Sequence, residues 1–302
     1  MFIESKASTR EVARHRDVHQ STVVRWVDEM GRRRLNAAET NQVLEPRWSG
    51  LVGVDGKIIR VAGRKRSCLL AADLRSLDIV QYELAPAEDE PSCRQFLLNL
   101  RQQIWPLRGI VSDLGKGRVW LKLGAEIFPD VAHQACIVPF DRSVDQTLPQ
   151  SPKSQQDEKN QRLRQLIKQV LFASTFNDAE EIFSRLMDAK SLFPAPCQRT
   201  VLKSLSKHFD LLTAHFHTPD LDSTKNVTEK IIKQLDRKIF LLSDFETFDT
   251  ALNFIRLWVI SYRFHPLRSS EYDFRNGRSP LQLARVETGG IDWLNFALKS
   301  NN

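Results

Sequence analysis

Residues 51–61 read Leu-Val-Gly-Val-Asp-Gly-Lys-Ile-Ile-Arg-Val, an apolar run with a single carboxylate, Asp55, at its centre. Valine and isoleucine at this density favour an extended strand. An acid inside such a strand is costly unless it is paired, hydrogen-bonded or bound to a metal. Asp55-Gly56 is also a hairpin signal between two apolar runs, so the same letters admit a tight turn. The neighbouring segments bear on which reading holds.

Two further β-type segments follow closely, SCLLAADLR (67–75) and DIVQYELA (78–85), separated by RKRS and RSL. The stretch EDEPSCRQFLLNLRQQIW (88–105) predicts a helix with Phe96, Leu97, Leu100 and Ile104 on its apolar face. A short apolar strand in LRGIVSDLGKG (107–117) ends at Asp113, a helix is expected over 118–125, and DVAHQACIV (130–138) reads as a fifth strand. After the Pro-, Ser- and Gln-rich break LPQSPKSQQDEKN (148–160), residues 161–216 are helical in pattern throughout. Another helix begins near Asp222 or Ser223 and carries Val227, Ile231, Ile232, Leu235 and Ile239 on one side. The last long helix spans about 248–264, and a polar tail with one short helix follows.

Upstream, STREVARHRDVHQSTVVRWVDEMG (8–31) predicts two short helices around a tight turn. Thr9 is the expected cap of the first, Ser21 or Thr22 the start of the second, and Gly31 its end. Residues 1–34 therefore have the layout of a helix-turn-helix, whose second helix would present His19, Gln20, Ser21, Thr22 and Arg25 to double-stranded DNA. A plain helical hairpin with a solvated basic face fits the same letters. Residues 35–49 show no sustained period and are expected to be a linker, leaving 50–302 as the main domain.

Composition narrows the class. The 302 residues are 41% hydrophobic, as in an ordinary globular protein, and carry a net charge of +7, which favours a polyanionic partner. No apolar run approaches the ~20 residues needed to span a bilayer, and the N-terminal residues lack a signal-peptide core, so the expectation is a soluble, cytoplasmic, nucleoid-associated protein with no membrane partner. Four cysteines without a Cys-x-x-Cys pair suggest neither a disulfide framework nor a zinc ribbon.

Three strands, a helix, a strand, a helix, a strand and then helices is the order of a ribonuclease H-like α/β fold. In that fold the first and fourth strands are neighbours, which would bring Asp55 beside Asp113. Two carboxylates forced together raise each other's pKa, and a shared divalent cation relieves this. Glu229, at the flank of its helix's apolar stripe, is the candidate third acid; an ordinary solvated first-turn glutamate is the alternative.

The blocks LVGVDGKIIRV, GIVSDLGKG, FPDVAHQACIV and STKNVTEKIIKQLDRKIFLLSDF, with FIRLWVISYRFHPLR and GRSPLQLA after them, resemble successive blocks of DDE transposases. The kinship is with prokaryotic insertion-sequence enzymes related to the Mutator-like superfamily, and it covers nearly the whole chain. The resemblance implies Asp55, Asp113 and Glu229 as catalytic metal ligands, with Thr224 and Asn226 in the cap before the glutamate. It also implies an all-helical insertion, fitted by about 158–217, and a ribonuclease H-like catalytic core preceded by a small helix-turn-helix. Two Mg²⁺ or Mn²⁺ ions, about 3.5–4 Å apart, would serve cleavage of element ends and strand transfer. The sequence departs from the family in having Pro139 where a histidine follows the Cys136 position, and Lys225 for the first cap asparagine. His133 and Cys136 remain, as supporting residues more structural than metal-binding, and the N-terminal region is short for the family.

Around the acids, Arg64, Lys65 and Arg66 are expected in the loop after the first strand, Lys116 and Arg118 after Asp113, and Lys230, Lys233, Arg237 and Lys238 on the Glu229 helix. Together they would neutralise phosphates of element ends and target DNA. Family resemblance also implies a homodimer or higher assembly. Two other readings stay open: a transposase-derived DNA-binding protein without catalysis, and a ribonuclease H-like nuclease acting on branched or hybrid substrates.

Overall fold

The computed structural model describes residues 2–3, 5, 7–104, 106–115, 119–149, 154–242, 244–268, 270 and 272–296. The chain divides into two compact units, one of residues 1–107 with 226–302 and one of residues 108–225.

In the first unit, β1 (Leu51–Val61), β2 (Arg64–Asp73) and β3 (Ile79–Ala85) form an antiparallel meander. Asp55 lies within β1 and faces Leu70 in the register, so the tight turn at 55–56 is not formed. The hairpin turns instead at Ala62-Gly63, where both residues have positive φ, 50° and 71°. This is the twist of the two-residue turn that matches right-twisted strands. As a result, Arg64, Lys65 and Arg66 are not in a loop: they open β2 and pair with Val61, Arg60 and Ile59.

Helix α1 (Thr9–Arg16) is capped by Ser8 in a capping box with Glu11, rather than by Thr9, which is the buried first helical residue. Helix α2 (Gln20–Arg32) starts at Gln20, with His19 as its cap. Its apolar stripe, Val23 and Val27, joins a core formed with Val12, Ala13, Phe254, Leu257 and Trp258. Gly31 does not end the helix. A Cβ there would lie 2.0 Å from the carbonyl oxygen of Asn253 on α11 (Phe248–Phe264), so the glycine lets two helix backbones touch. The Asn253 amide also donates to Asp28 at 2.9 Å. Thus α2 is built into the core of its unit.

The stretch expected as a linker carries α3 (Ala37–Leu44), nucleated by an Asn36–Glu39 capping box. No sustained apolar period announces this helix because polar Thr40 and Asn41 share its buried face with Ala37 and Leu44: Asn41 donates to the Val80 carbonyl on the outer strand β3 at 3.0 Å. Helix α4 (Glu90–Gln103), capped by Asp89, buries Cys93, Phe96, Leu97 and Leu100. Burial pushes the Cys68 and Cys93 thiols up to about 12. A buried ion pair ties the meander to α11: Arg263 holds both oxygens of Asp78 at 2.8 Å, and the Trp48 indole donates to the same carboxylate.

In the second unit, β4 (Gly109–Ser112) and β5 (Ala132–Ala135) are parallel, joined through α5 (Val119–Ile127). Helix α6 (Ile137–Thr147) was not expected; Pro139 sits in its first turn, where no intrahelical N–H is required. Helices α7 (Gln155–Leu171), α8 (Phe176–Asp188) and α9 (Pro196–Thr213) follow, packed around Leu163, Ile167, Leu186, Leu205 and Phe209. Antiparallel strands in one unit and parallel strands in the other, with helices throughout, make this an α/β protein. Among the described residues no helix is long and apolar enough to cross a membrane.

Replacing Gly31 with alanine forces α2 away from α11. Urea unfolding should register a loss of about 3 kcal/mol, at the upper end of overpacking because the clash is with backbone.

Candidate functional site

Alternation along β1 puts Gly53, Asp55, Lys57, Ile59 and Val61 on one face. Ile59 and Val61 on that face pack with Ile231 and Leu235 of α10 (Asn226–Phe240). The helix begins four residues after Asp222, at Asn226. Two contacts fix its course. A Cβ on Gly53 would lie 2.2 Å from the Thr228 hydroxyl, and the Lys57 ammonium pairs with Asp236 at 2.8 Å. Eight helical residues rise ~12 Å and four strand residues ~13 Å, so α10 runs alongside β1 in the same direction. Asp55 is midway along the covered span.

Half-buried Asp55 accepts the Gly56 N–H at 2.9 Å. Glu229 lies in the first turn of α10, next to Thr228, which is fully buried against Gly53. Its carboxylate is 3.8 Å from the Lys233 ammonium one turn on. Two of the candidate acids thus belong to packed neighbours within one unit, and the absence of a side chain at Gly53 sets how closely those neighbours approach. The sequence reading named neither Gly53 nor Thr228 as functional; a glycine two residues before the acid in an apolar strand was the available signal. On the opposite face of β1 the Glu88 carboxylate is packed against Gly56.

Asp113 follows β4 directly in the second unit. The Lys225 ammonium, 3% exposed, donates to its Oδ2 at 2.7 Å, while its Oδ1 is buried and has no hydrogen-bond partner among the described residues. The strand end and the segment before α10 are stitched together: the Cys136 N–H donates to the Ser112 carbonyl, the Ile137 N–H to the Ser223 carbonyl, and the Lys225 N–H to the Cys136 sulfur. Burial raises the Cys136 thiol pKa. His133 is packed against Gly124, with Nε2 3.0 Å from the Phe128 carbonyl, and burial lowers its pKa. Neighbouring Gln134 joins β5 to α9, accepting the His215 N–H and donating to the Leu212 carbonyl. Thr224 is half-buried and Asn226 exposed at the helix start.

The candidate phosphate contacts form several sets. His19, Ser21 and Arg25 are exposed at the start of α2, with His19 Nδ1 2.8 Å from the Ser21 hydroxyl, and Thr22 is half-buried. Gln20 is engaged between helices, donating to Thr9 and accepting from Arg10. At the hairpin tip, exposed Arg64 and Lys65 and half-buried Arg66 are joined by exposed Arg60, which the strand register adds opposite Lys65. Lys230, Lys233 and Arg237 are exposed on α10 at helical spacing. Lys238 instead turns to the Phe2 and Ser5 carbonyls, and burial lowers its pKa to about 8. Lys116 and Arg118 lie outside the described residues.

The carboxylates are hard oxygen donors of the kind that Mg²⁺ and Mn²⁺ take, and the orphaned Asp113 Oδ1 is an acceptor that a cation would satisfy. The donor chemistry therefore fits. Among the described residues, no three His, Cys, Asp or Glu side chains are already gathered into a cation cage. No protein-family profile matches the chain, and no curated protein sequence matches it significantly.

Gly53→Ala should displace the first turn of α10 from β1 and lower stability by about 2–3 kcal/mol in denaturant titration. Gly53→Ala combined with Thr228→Ala, which removes the hydroxyl in the way, should recover part of that loss.

Proposed function

We propose that this chain is a DNA transposase of the DDE class, with a ribonuclease H-like core, acting on element ends and target DNA. The observation that carries this reading is the course of α10 along the β1 face that bears Asp55, with Glu229 in the helix's first turn. The chain order supports it: an antiparallel meander, then α4, then two parallel strands with Asp113 at the end of the first.

In this reading Asp55, Asp113 and Glu229 would hold two Mg²⁺ or Mn²⁺ ions, which would supply Lewis-acid chemistry for phosphoryl transfer. The protein's own share is positioning. Gly53 and Thr228 set the distance of Glu229 from the strand, and packing on Ile231 and Leu235 holds the helix rotation. The hairpin-tip arginines and lysine and the α10 stripe bind phosphates as point charges, and the exposed end of α2 supplies a helix-turn-helix contact to the major groove. Paired ends call for a dimer or larger assembly.

A second reading, a transposase-derived DNA-binding protein without catalysis, is favoured by the ion pair that already neutralises Asp113. Strand cleavage and joining in Mg²⁺ and Mn²⁺, on DNA flanking the gene, separates the two. The transposase reading expects joined products that fall at least about 10²-fold in Asp55→Asn or Glu229→Gln, a loss of about 3 kcal/mol of transition-state stabilisation. Binding without joining in any of the proteins selects the second. In either case Arg64→Gln with Lys65→Gln should reduce the slope of log affinity against log salt by about 1.8, if both contact phosphate.

A further inference from the structure

Lys225 is the residue whose placement the sequence least foretold. Its ammonium is almost wholly removed from water and sits 2.7 Å from Asp113, an acid assigned above to a metal. Its backbone N–H is held by the Cys136 sulfur, and two residues earlier the Ser223 carbonyl is held by the Ile137 N–H. The side chain therefore leaves from a backbone fixed beside Asp113. A buried ammonium demands a counter-charge, and Asp113 supplies one. The other oxygen of the same carboxylate is buried and accepts no hydrogen bond from the described residues. A cation bound at Oδ1, at the ~2.1 Å of a Mg²⁺–oxygen bond, would lie at most about 7 Å from the ammonium, a range at which like charges repel in a partly buried site.

We propose that Lys225 is a resident cation at Asp113: it neutralises the carboxylate in the metal-free protein and competes with divalent ions for it. The inference rests on the metal-ligand reading of Asp113, and it makes Lys225 a residue that sets metal affinity. The metal-free protein is then fully folded with its acid already paired, and divalent ions bind weakly until the ammonium withdraws.

The test uses the full chain and Mn²⁺ alone, titrated by calorimetry and by electron paramagnetic resonance. Lys225→Gln and Lys225→Met should bind Mn²⁺ at least about tenfold more tightly than the unaltered protein, with Tm rising on Mn²⁺ addition. Adding Asp113→Asn to Lys225→Gln should abolish the gain. Folded variants that bind no more tightly than the parent overturn the proposal. Should neither variant fold, the unaltered protein still decides: a Tm indifferent to chelator and to millimolar Mn²⁺ agrees with a resident ammonium, and a large Mn²⁺-dependent rise overturns it. The outcome is separable from that of the transposase reading. Enhanced Mn²⁺ uptake with no strand joining by any variant sinks the transposase alone, and joining by the unaltered protein with no change in Mn²⁺ affinity sinks this inference alone.

Discussion

The bidentate pair between Arg263 and Asp78 is the constraint on which the first unit depends. Both side chains are essentially without solvent, so each would be an uncompensated buried charge if the other moved. Asp78 stands in the β2–β3 connection and Arg263 near the end of α11, which fixes where that helix crosses the meander. Asp73 reinforces the same corner, accepting from the backbone and hydroxyl of both Ser49 and Ser76. With α11 fixed there, Asn253 is set against Gly31, and the α1–α2 pair is seated in the same core that packs α10. The candidate DNA-contacting helix and the candidate catalytic helix thus share one hydrophobic foundation.

That arrangement has a consequence for recognition. A helix-turn-helix on a flexible tether searches DNA independently of its catalytic partner. Here α2 is packed through Val23, Val27 and Gly31, leaving Ser21, Val24, Arg25 and Trp26 outward. Whatever α2 contacts is held at a fixed distance from the basic hairpin tip and the α10 stripe, all within one unit. Under the proposed function, such rigid spacing would restrict the DNA shapes that can engage these elements together, because register on a duplex is set by backbone contacts.

Much of the architecture was legible in the sequence. Apolar runs and periodicities marked β1 to β3, α4 and α11, and residues 161–216 read as helical without their division into α7, α8 and α9. α3 and α6 escaped for opposite reasons: α3 docks by asparagine and capping bonds with little apolar pattern, and α6 starts immediately after a strand, with a proline in its first turn that reads as a breaker. RKRS (64–67) reads as the hairpin loop because of its run of charge, but those residues open β2. Asp55-Gly56 has turn letters but sits in register within the strand, whereas Ala62-Gly63 turns with a poor first residue because the strand pairing on both sides requires it.

Residue types and local patterns determined the α/β class, the helices with an apolar stripe, the positive balance, and the candidacy of Asp55, Asp113 and Glu229. Those properties depend on side-chain chemistry and on neighbours a few positions away. Tertiary structure alone decided which lysine is buried and which is solvated: Lys225 and Lys230 are five residues apart in one polar stretch, yet one is sealed beside Asp113 and the other is exposed on a helix face. It alone decided that Gly31 and Gly53 are points of contact between elements and not breaks in them. Burial and close approach depend on what arrives from distant parts of the chain, and a linear string carries no record of that arrival.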